Sequence, residues 1–219
     1  MALMIFDIDG TILNGDSNDQ FFKCLLDHRI IDESFLEFNK TAGEKFYQGT
    51  LDILGYYRYV IKPIAGKTED ELRDVLTDYR ENYLKNKIAP AASELIRKYH
   101  SAGHMVILAS ATMDLLVKQT AMLVGADDYI ATRIKYDDKN RIIDVYPDFC
   151  HQEGKRKRLL KLCSERNWDL KGSHGYGDTI NDLAMLQTVE TAHVVNPGKY
   201  NANMVNIARE KNWDILSFK

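Results

Sequence analysis

Two aspartates one residue apart, Asp7 and Asp9, follow the apolar residues 3–6 and precede Gly10 and Thr11. A short, continuous apolar run reads as a buried strand. Two carboxylates at its end need something to compensate their charge. A divalent cation does so, and Mg2+ favours one or two carboxylates together with phosphate and water oxygens. Other apolar runs end in polar residues in the same way: Ser110 after residues 104–109, and Asp178 with Asn181 and Asp182 after residues 173–176. Lys155 opens a helical pattern between them. Four carboxylates, a hydroxyl, an ammonium and an amide suit a metal ion and a phosphate. Singly, each has a plainer reading. Asp-Gly-Thr is a turn, Ser110 and Asp178 are helix N-caps, and Lys155 begins a solvated basic run, Lys155-Arg156-Lys157-Arg158. Together they point to chemistry.

The elements that must bring these residues together alternate. Apolar, β-branched or alternating runs predict strands at 3–6, 104–109, 173–176, 192–195 and 214–218, and a hairpin of 129–135 with 141–146 around Asp137-Asp138-Lys139-Asn140. Helical periodicity lies between them, at 90–103, from Ser110 to Gly125, at 154–167 and at 179–186. Strands alternating with helices imply a parallel sheet covered on both faces. Ligands in such sheets bind outside the carboxyl ends of the strands, where the polar residues fall. Residues 15–87 differ: they read as almost all helix, rich in Phe and Tyr, with capping boxes at Ser17-x-x-Gln20 and Thr68-x-x-Glu71.

The totals narrow the classes of function. The chain has 219 residues and a net charge of -3, which gives no electrostatic case for nucleic acid or an anionic membrane. Cys24, Cys150 and Cys163 form no Cys-x-x-Cys pair and read as incidental thiols of a reducing compartment, not as a disulfide or zinc framework. The six histidines read as structural or surface residues. No signal-peptide pattern or bilayer-length apolar run is present, so a cytoplasmic protein, monomer or homodimer, is expected.

Asp7-x-Asp9-x-Thr11, Ser110, Gly154-Lys155 and Gly177-Asp178-x-x-x-Asp182 resemble the four ordered motifs of the haloacid dehalogenase superfamily. The helical insert after the first motif is similar to its C1-capped branch. Asp7-Ile8-Asp9-Gly10-Thr11, Gly15-Asp16-Ser17 and Gly177-Asp178-Thr179-Ile180-Asn181-Asp182-Leu183 resemble the phosphoserine-phosphatase-like subfamily IB. The resemblance covers essentially the whole chain. It implies an α/β, Rossmann-like parallel-sheet core, residues 1–14 and 88–219, with a helical cap at 15–87. It further implies a Mg2+-dependent phosphomonoesterase acting on a small phosphorylated metabolite through an aspartyl-phosphate. Asp7 is then the nucleophile and Asp9 the general acid and base. Asp7, the Asp9 carbonyl, Asp178 and Asp182 surround the metal, and Thr11, Ser110, Lys155 and Asn181 bind phosphate. A phosphomutase or phosphotransferase shares these motifs, and a member that binds metal without turnover is a further alternative.

Substrate choice is expected in the helical insert. Asp16 falls where phosphoserine phosphatases place an acid for the substrate amine. Their carboxylate-clamping arginine has no match: Gln48-Gly49-Thr50-Leu51-Asp52 puts Asp52 there, and Arg58 lies a turn and a half further on. Two acids favour histidinol phosphate, an amine without a carboxylate, over phosphoserine.

Overall fold

In the computed structural model, which describes residues 1–47, 50–198 and 201–219, the apolar start of the chain is strand β1 (Leu3–Phe6), buried along its whole length. It is flanked by β2 (Met105–Met113) and β6 (His174–Gly177), both parallel to it. Outside these lie β3 (Asp128–Thr132) on one side, and β7 (Thr191–Val195) and β8 (Asp214–Leu216) on the other, giving the order β3-β2-β1-β6-β7-β8. Alternation along β1 sends Leu3 and Ile5 into one buried cluster and Met4 and Phe6 into another. The first cluster is closed by α7 (Glu153–Arg166), α8 (Leu183–Leu186) and α9 (Ala202–Glu210). The second is closed by α5 (Pro90–Ser101) and α6 (Asp114–Val124). A sheet with helices on both faces is the α/β, Rossmann-like class expected. The chain moves from β1 outward to β2 and β3, then crosses to β6, so the topological switch point lies beside β1.

Between β1 and β2 the chain forms α1 (Ser17–Asp27), α2 (Glu33–Tyr47), α3 (Ile53–Ile61), α4 (Arg73–Asp78) and a π-helical turn, Tyr79–Leu84. This segment leaves and rejoins the sheet side by side: Asn14 N donates to Lys87 O and Ala89 N to Ile12 O. Its Phe21, Phe22 and Tyr79 join the buried cluster that holds Phe6 and Leu108. No helix among the described residues is long and apolar enough to cross a membrane.

Several local expectations shift, each for a tertiary reason. The helix expected from Ser110 starts at Asp114, because β2 continues through Met113, which pairs with Thr132. The expected strand 129–135 divides at Arg133. Its first part stays in the main sheet, and β4 (Ile134–Tyr136) turns away to pair antiparallel with β5 (Ile142–Val145). Asp16, not Ser17, caps α1 and accepts from Asp19 N. Thr68 and Glu71 do exchange bonds, but regular helix begins only at Arg73.

Candidate active site

The carboxyl ends of β1, β2 and β6 meet at the switch point. Asp7 is almost fully buried there; Lys155 donates to its Oδ1 at 2.5 Å, Thr11 to its Oδ2 at 3.0 Å. Lys155 also donates to Asp182 Oδ1 at 2.5 Å. The ammonium belongs to the first turn of α7, and a sharp bend aims it inward. Gly154 lies against the Phe149 carbonyl, where a Cβ would clash, and Gln152 before it has φ +49°. Lys155 is therefore a buried ligand of two carboxylates, while Arg156 and Lys157 face solvent.

After β1 the chain doubles back, with Thr11 N and Leu13 N both donating to Ile8 O. Gly10, at φ +80°, is where Asp178 comes in: a Cβ there would sit 3.0 Å from the Asp178 carboxyl carbon. Asn196, at the end of β7, pins this loop by donating to the carbonyls of Gly10 and Thr11 at 3.1 and 3.2 Å. Asp182 Oδ2 accepts from the amides of Asp178 and Thr179 and from the Thr179 hydroxyl.

Carboxylate oxygens of Asp7, Asp178 and Asp182 lie within 4.8 Å of one another. Among the described residues Lys155 is the one ammonium bonded to them, so the three carboxylates, if all ionised, leave two negative charges uncompensated there. Burial, then the Asp182 charge, pushes Asp7 up to about 7 against the pull of Lys155. Burial and the Asp7 charge push Asp178 up to about 9. Burial works against the charge on Lys155, but Asp182 and Asp7 outweigh it and hold the ammonium well above the ordinary lysine value. A divalent cation is the group this arrangement fits.

Such raised acids have a measurable consequence. An acid whose pKa folding raises stabilises the fold while protonated. That contribution is complete below the ordinary value of 3.8 and is lost as pH rises through about 7 for Asp7 and about 9 for Asp178. With a chelator present, Tm is expected to fall between about pH 6 and pH 9, and the gain on adding Mg2+ to grow over the same window. Melting curves with and without Mg2+ across that range check this; equal gains at both ends refute it.

Asp9 sits apart from this cluster. Its Oδ1 accepts from Ser17 N at 2.6 Å, and its Oδ2 from Thr112 Oγ1 at 3.0 Å and Ser110 Oγ at 3.4 Å. Burial raises its pKa while the bonds from Ser17 and Thr112 hold it down. Ser110 also accepts from Thr112 N, so it orders the end of β2 and touches Asp9. Thr112 and Ser17 are residues that sequence reasoning missed. Thr112 lies two positions beyond Ser110, on the same face of an extended strand, which is its one sequence signal. Ser17 works through its backbone at the positive end of α1. Its hydroxyl meets that of Thr112 at 3.1 Å.

The remaining expected residues scatter. Asn181 accepts from Gln152 at 3.4 Å and lies beside His151. Asp16 is exposed near Asp9, at the start of α1. Close to it, Tyr56 donates to Asn39 at 2.9 Å, and Asn39 donates to Asp19 at 2.7 Å. Burial and the charges of Asp16, Asp19 and Asp9 raise the Tyr56 phenol. Tyr57, one position on, donates to the Ala111 carbonyl at the end of β2. Asp52 caps α3 through Gly55 N, and Arg58 holds Asp144 of β5 with two bonds of 3.1 and 2.9 Å. Neither is hydrogen-bonded or ion-paired to Asp7, Asp9, Asp16 or Asp178. Gln48 and Gly49, on which the Asp52 match rests, lie outside the described residues.

The model of the haloacid dehalogenase-like hydrolase family matches residues 4–187. A histidinol-phosphatase of Neisseria meningitidis is 29% identical, over 99% of this chain and 99% of its own. Among solved structures, a protein of unknown function from Bordetella pertussis superposes with a TM-score of 0.88 at 22% identity, covering 100% of this chain and 99% of that one. A substrate-bound phosphoserine phosphatase gives 0.67 at 17% identity, covering 100% and 93%.

Proposed function

The chain belongs to the haloacid dehalogenase-like hydrolase family and is a phosphatase, and from that premise we propose that it hydrolyses a small, amine-bearing phosphomonoester through an aspartyl-phosphate on Asp7. The observation that carries the reading is the buried Asp7 carboxylate held by Lys155 and Thr11 beside Asp178. Asp7, Asp178, Asp182 and the Asp9 carbonyl would hold Mg2+, which supplies charge neutralisation at the phosphoryl oxygens. Lys155 favours the ionised form of Asp7 and aims it, and in this reading Thr11, Ser110 and Asn181 bind the phosphate. Asp7 forms an O–P bond as the ester O–P bond breaks, and Asp9 gives its proton to the departing alcohol oxygen. Asp9 then takes a proton from water; the water oxygen bonds to phosphorus, and Asp7 is released. A carboxylic acid partly buried at Asp9 suits a group that must carry a proton and then lose it.

Residues 15–87 act in this reading as a cap that decides the substrate. Its α1 holds Asp9 through Ser17, so closure of the cap and alignment of the acid are one event. The cap face beside Asp9 is acidic, through Asp16 and Asp19, with Tyr56 and Asn39 behind them. Arg58, the arginine that could clamp a substrate carboxylate, is bonded to Asp144 instead. An amine without a neighbouring carboxylate fits best, so L-histidinol phosphate is favoured, with L-phosphoserine the second reading. Side-by-side kinetics with Mg2+ are expected to give the higher kcat/KM on histidinol phosphate. A clear preference for phosphoserine would overturn the substrate assignment and leave the phosphatase. Asp16→Asn is expected to raise KM for the amine substrate about tenfold while leaving p-nitrophenyl phosphate unaffected.

A further inference from the structure

The other end of α1 carries a second group of metal-ligand side chains. Cys24 and His28 are four residues apart and share one face of the helix. Asp78, the last residue of α4, meets both. His28 Nε2 lies 2.8 Å from Asp78 Oδ2, and Cys24 Sγ lies 3.8 Å from the same oxygen. The three ligand atoms all fall within 4.8 Å of one another. Asn82 donates to the other oxygen, Oδ1, at 2.5 Å and so fixes the carboxylate with Oδ2 turned toward the thiol and the imidazole. Asp27, whose carboxylate accepts from Tyr83, is a second acid on the same stretch of α1.

Zinc–ligand bonds of about 2.0–2.3 Å at tetrahedral angles put neighbouring ligand atoms about 3.2–3.8 Å apart. The His28–Asp78 separation needs only a few tenths of an ångström of opening to reach that span, and the Cys24–Asp78 separation is already at its upper edge. A His–Asp pair at this exposure is worth little as a bare ion pair. Cys24 is fully buried, and its thiol reaches the Val75 carbonyl at 3.6 Å as well as the same Asp78 oxygen at 3.8 Å. We propose that Cys24, His28 and Asp78 form a Zn2+ site with an open fourth position, tying α1 to α4. Thiolate, imidazole and carboxylate are the donor mix zinc takes, and it is too soft a set for Mg2+. On binding, Cys24 releases its thiol proton to solvent as the S–Zn bond forms, and the His28 imidazole exchanges its bond to Asp78 for one to the metal. Asn82 is the outer partner that orients the carboxylate. The site is separate from the Asp7 cluster, since the 11 residues of α1 span about 16 Å. No Cys-x-x-Cys spacing announces it, because its ligands come from two helices.

Cobalt reports the site directly. Co2+ titrated into the full chain in excess Mg2+ is expected to bind one equivalent, with a thiolate-to-cobalt charge-transfer band and the strong visible bands of tetrahedral coordination. Zn2+ should bleach both, and Cys24→Ala should lose the charge-transfer band. His28→Ala, at an exposed position, is expected to weaken Zn2+ binding tenfold or more and to abolish the Zn2+-dependent rise in Tm, with Mg2+-dependent turnover unchanged. A Co2+ spectrum without a thiolate band, or a band that survives Cys24→Ala, overturns the proposal.

Discussion

Asp7→Asn is expected to lose turnover by about five to six orders of magnitude while the protein stays folded. The amide keeps the shape of the side chain and can still accept from Lys155 through Oδ1, so packing at the end of β1 is preserved. It cannot form the acyl-phosphate bond, and no other carboxylate takes its place: Asp182 is bonded to Lys155 and three donors of its own turn, and Asp9 is held toward Ser17 and Thr112. The same substitution removes the Asp7 charge, which together with burial pushes Asp178 up to about 9. In chelator at pH 8 the variant is therefore expected to melt above the parent, because the repulsion between Asp7 and Asp178 is gone. Two measurements check this: phosphate release from p-nitrophenyl phosphate with Mg2+, and Tm in chelator. Appreciable Mg2+-dependent turnover by purified Asp7→Asn would refute the role of Asp7.

Lys155→Met is expected to be the opposite case, inactive and poorly stable. Methionine fills the buried space, but Asp7 and Asp182 lose the ammonium that bonds them both. Breaking a buried pair by removing one partner costs about 3–5 kcal/mol, because the charge left behind is uncompensated. The deficit is expected to be largest at alkaline pH and to shrink toward pH 5, where the orphaned carboxylates can take up protons. Urea unfolding at the two pH values measures it, and added Mg2+ should recover part of it. Arg156→Met, next in the same basic run but exposed, should change stability little. Equal effects at the two positions would show that Lys155 is the solvated helix face its neighbours suggest.

The readable parts of this protein are those set by local pattern. The apolar run before Asp7, the β-branched run before Ser110 and the alternation of strand and helix each follow from hydrophobic period. Period depends on residues a few positions apart. The parallel sheet follows from such alternation, because parallel strands need crossover helices, whereas the strand order and the switch point came from the structure. Asp7, Lys155 and Asp178 were legible for a different reason. Charged groups at the ends of apolar runs are expensive unless they meet, and the combination left few ways for them to be compensated.

What stayed hidden depends on partners distant in the chain. Ser110 read as the start of a helix, since a hydroxyl after a strand is a good local cap. Pairing of Met113 with Thr132 kept the chain extended and delivered Thr112 to Asp9, 103 residues away. Arg58 lay a turn and a half beyond the place of the clamping arginine, and Asp144, 86 positions on, holds it with two bonds. Ser17 read as a cap and acts through its amide on Asp9. Cys24 and His28 read as incidental until α4 brought Asp78 to them.

The sequence by itself determined the class of fold, the two aspartates after β1 and the charges that must gather around them. Tertiary structure alone decided which hydrogen bonds hold Asp9, which acids gather beside it and where the thiol finds its partners. A side chain's period and polarity are properties of its own neighbourhood. Its hydrogen-bond partner is chosen among every group the fold brings within about 3 Å, and no local preference restricts that choice.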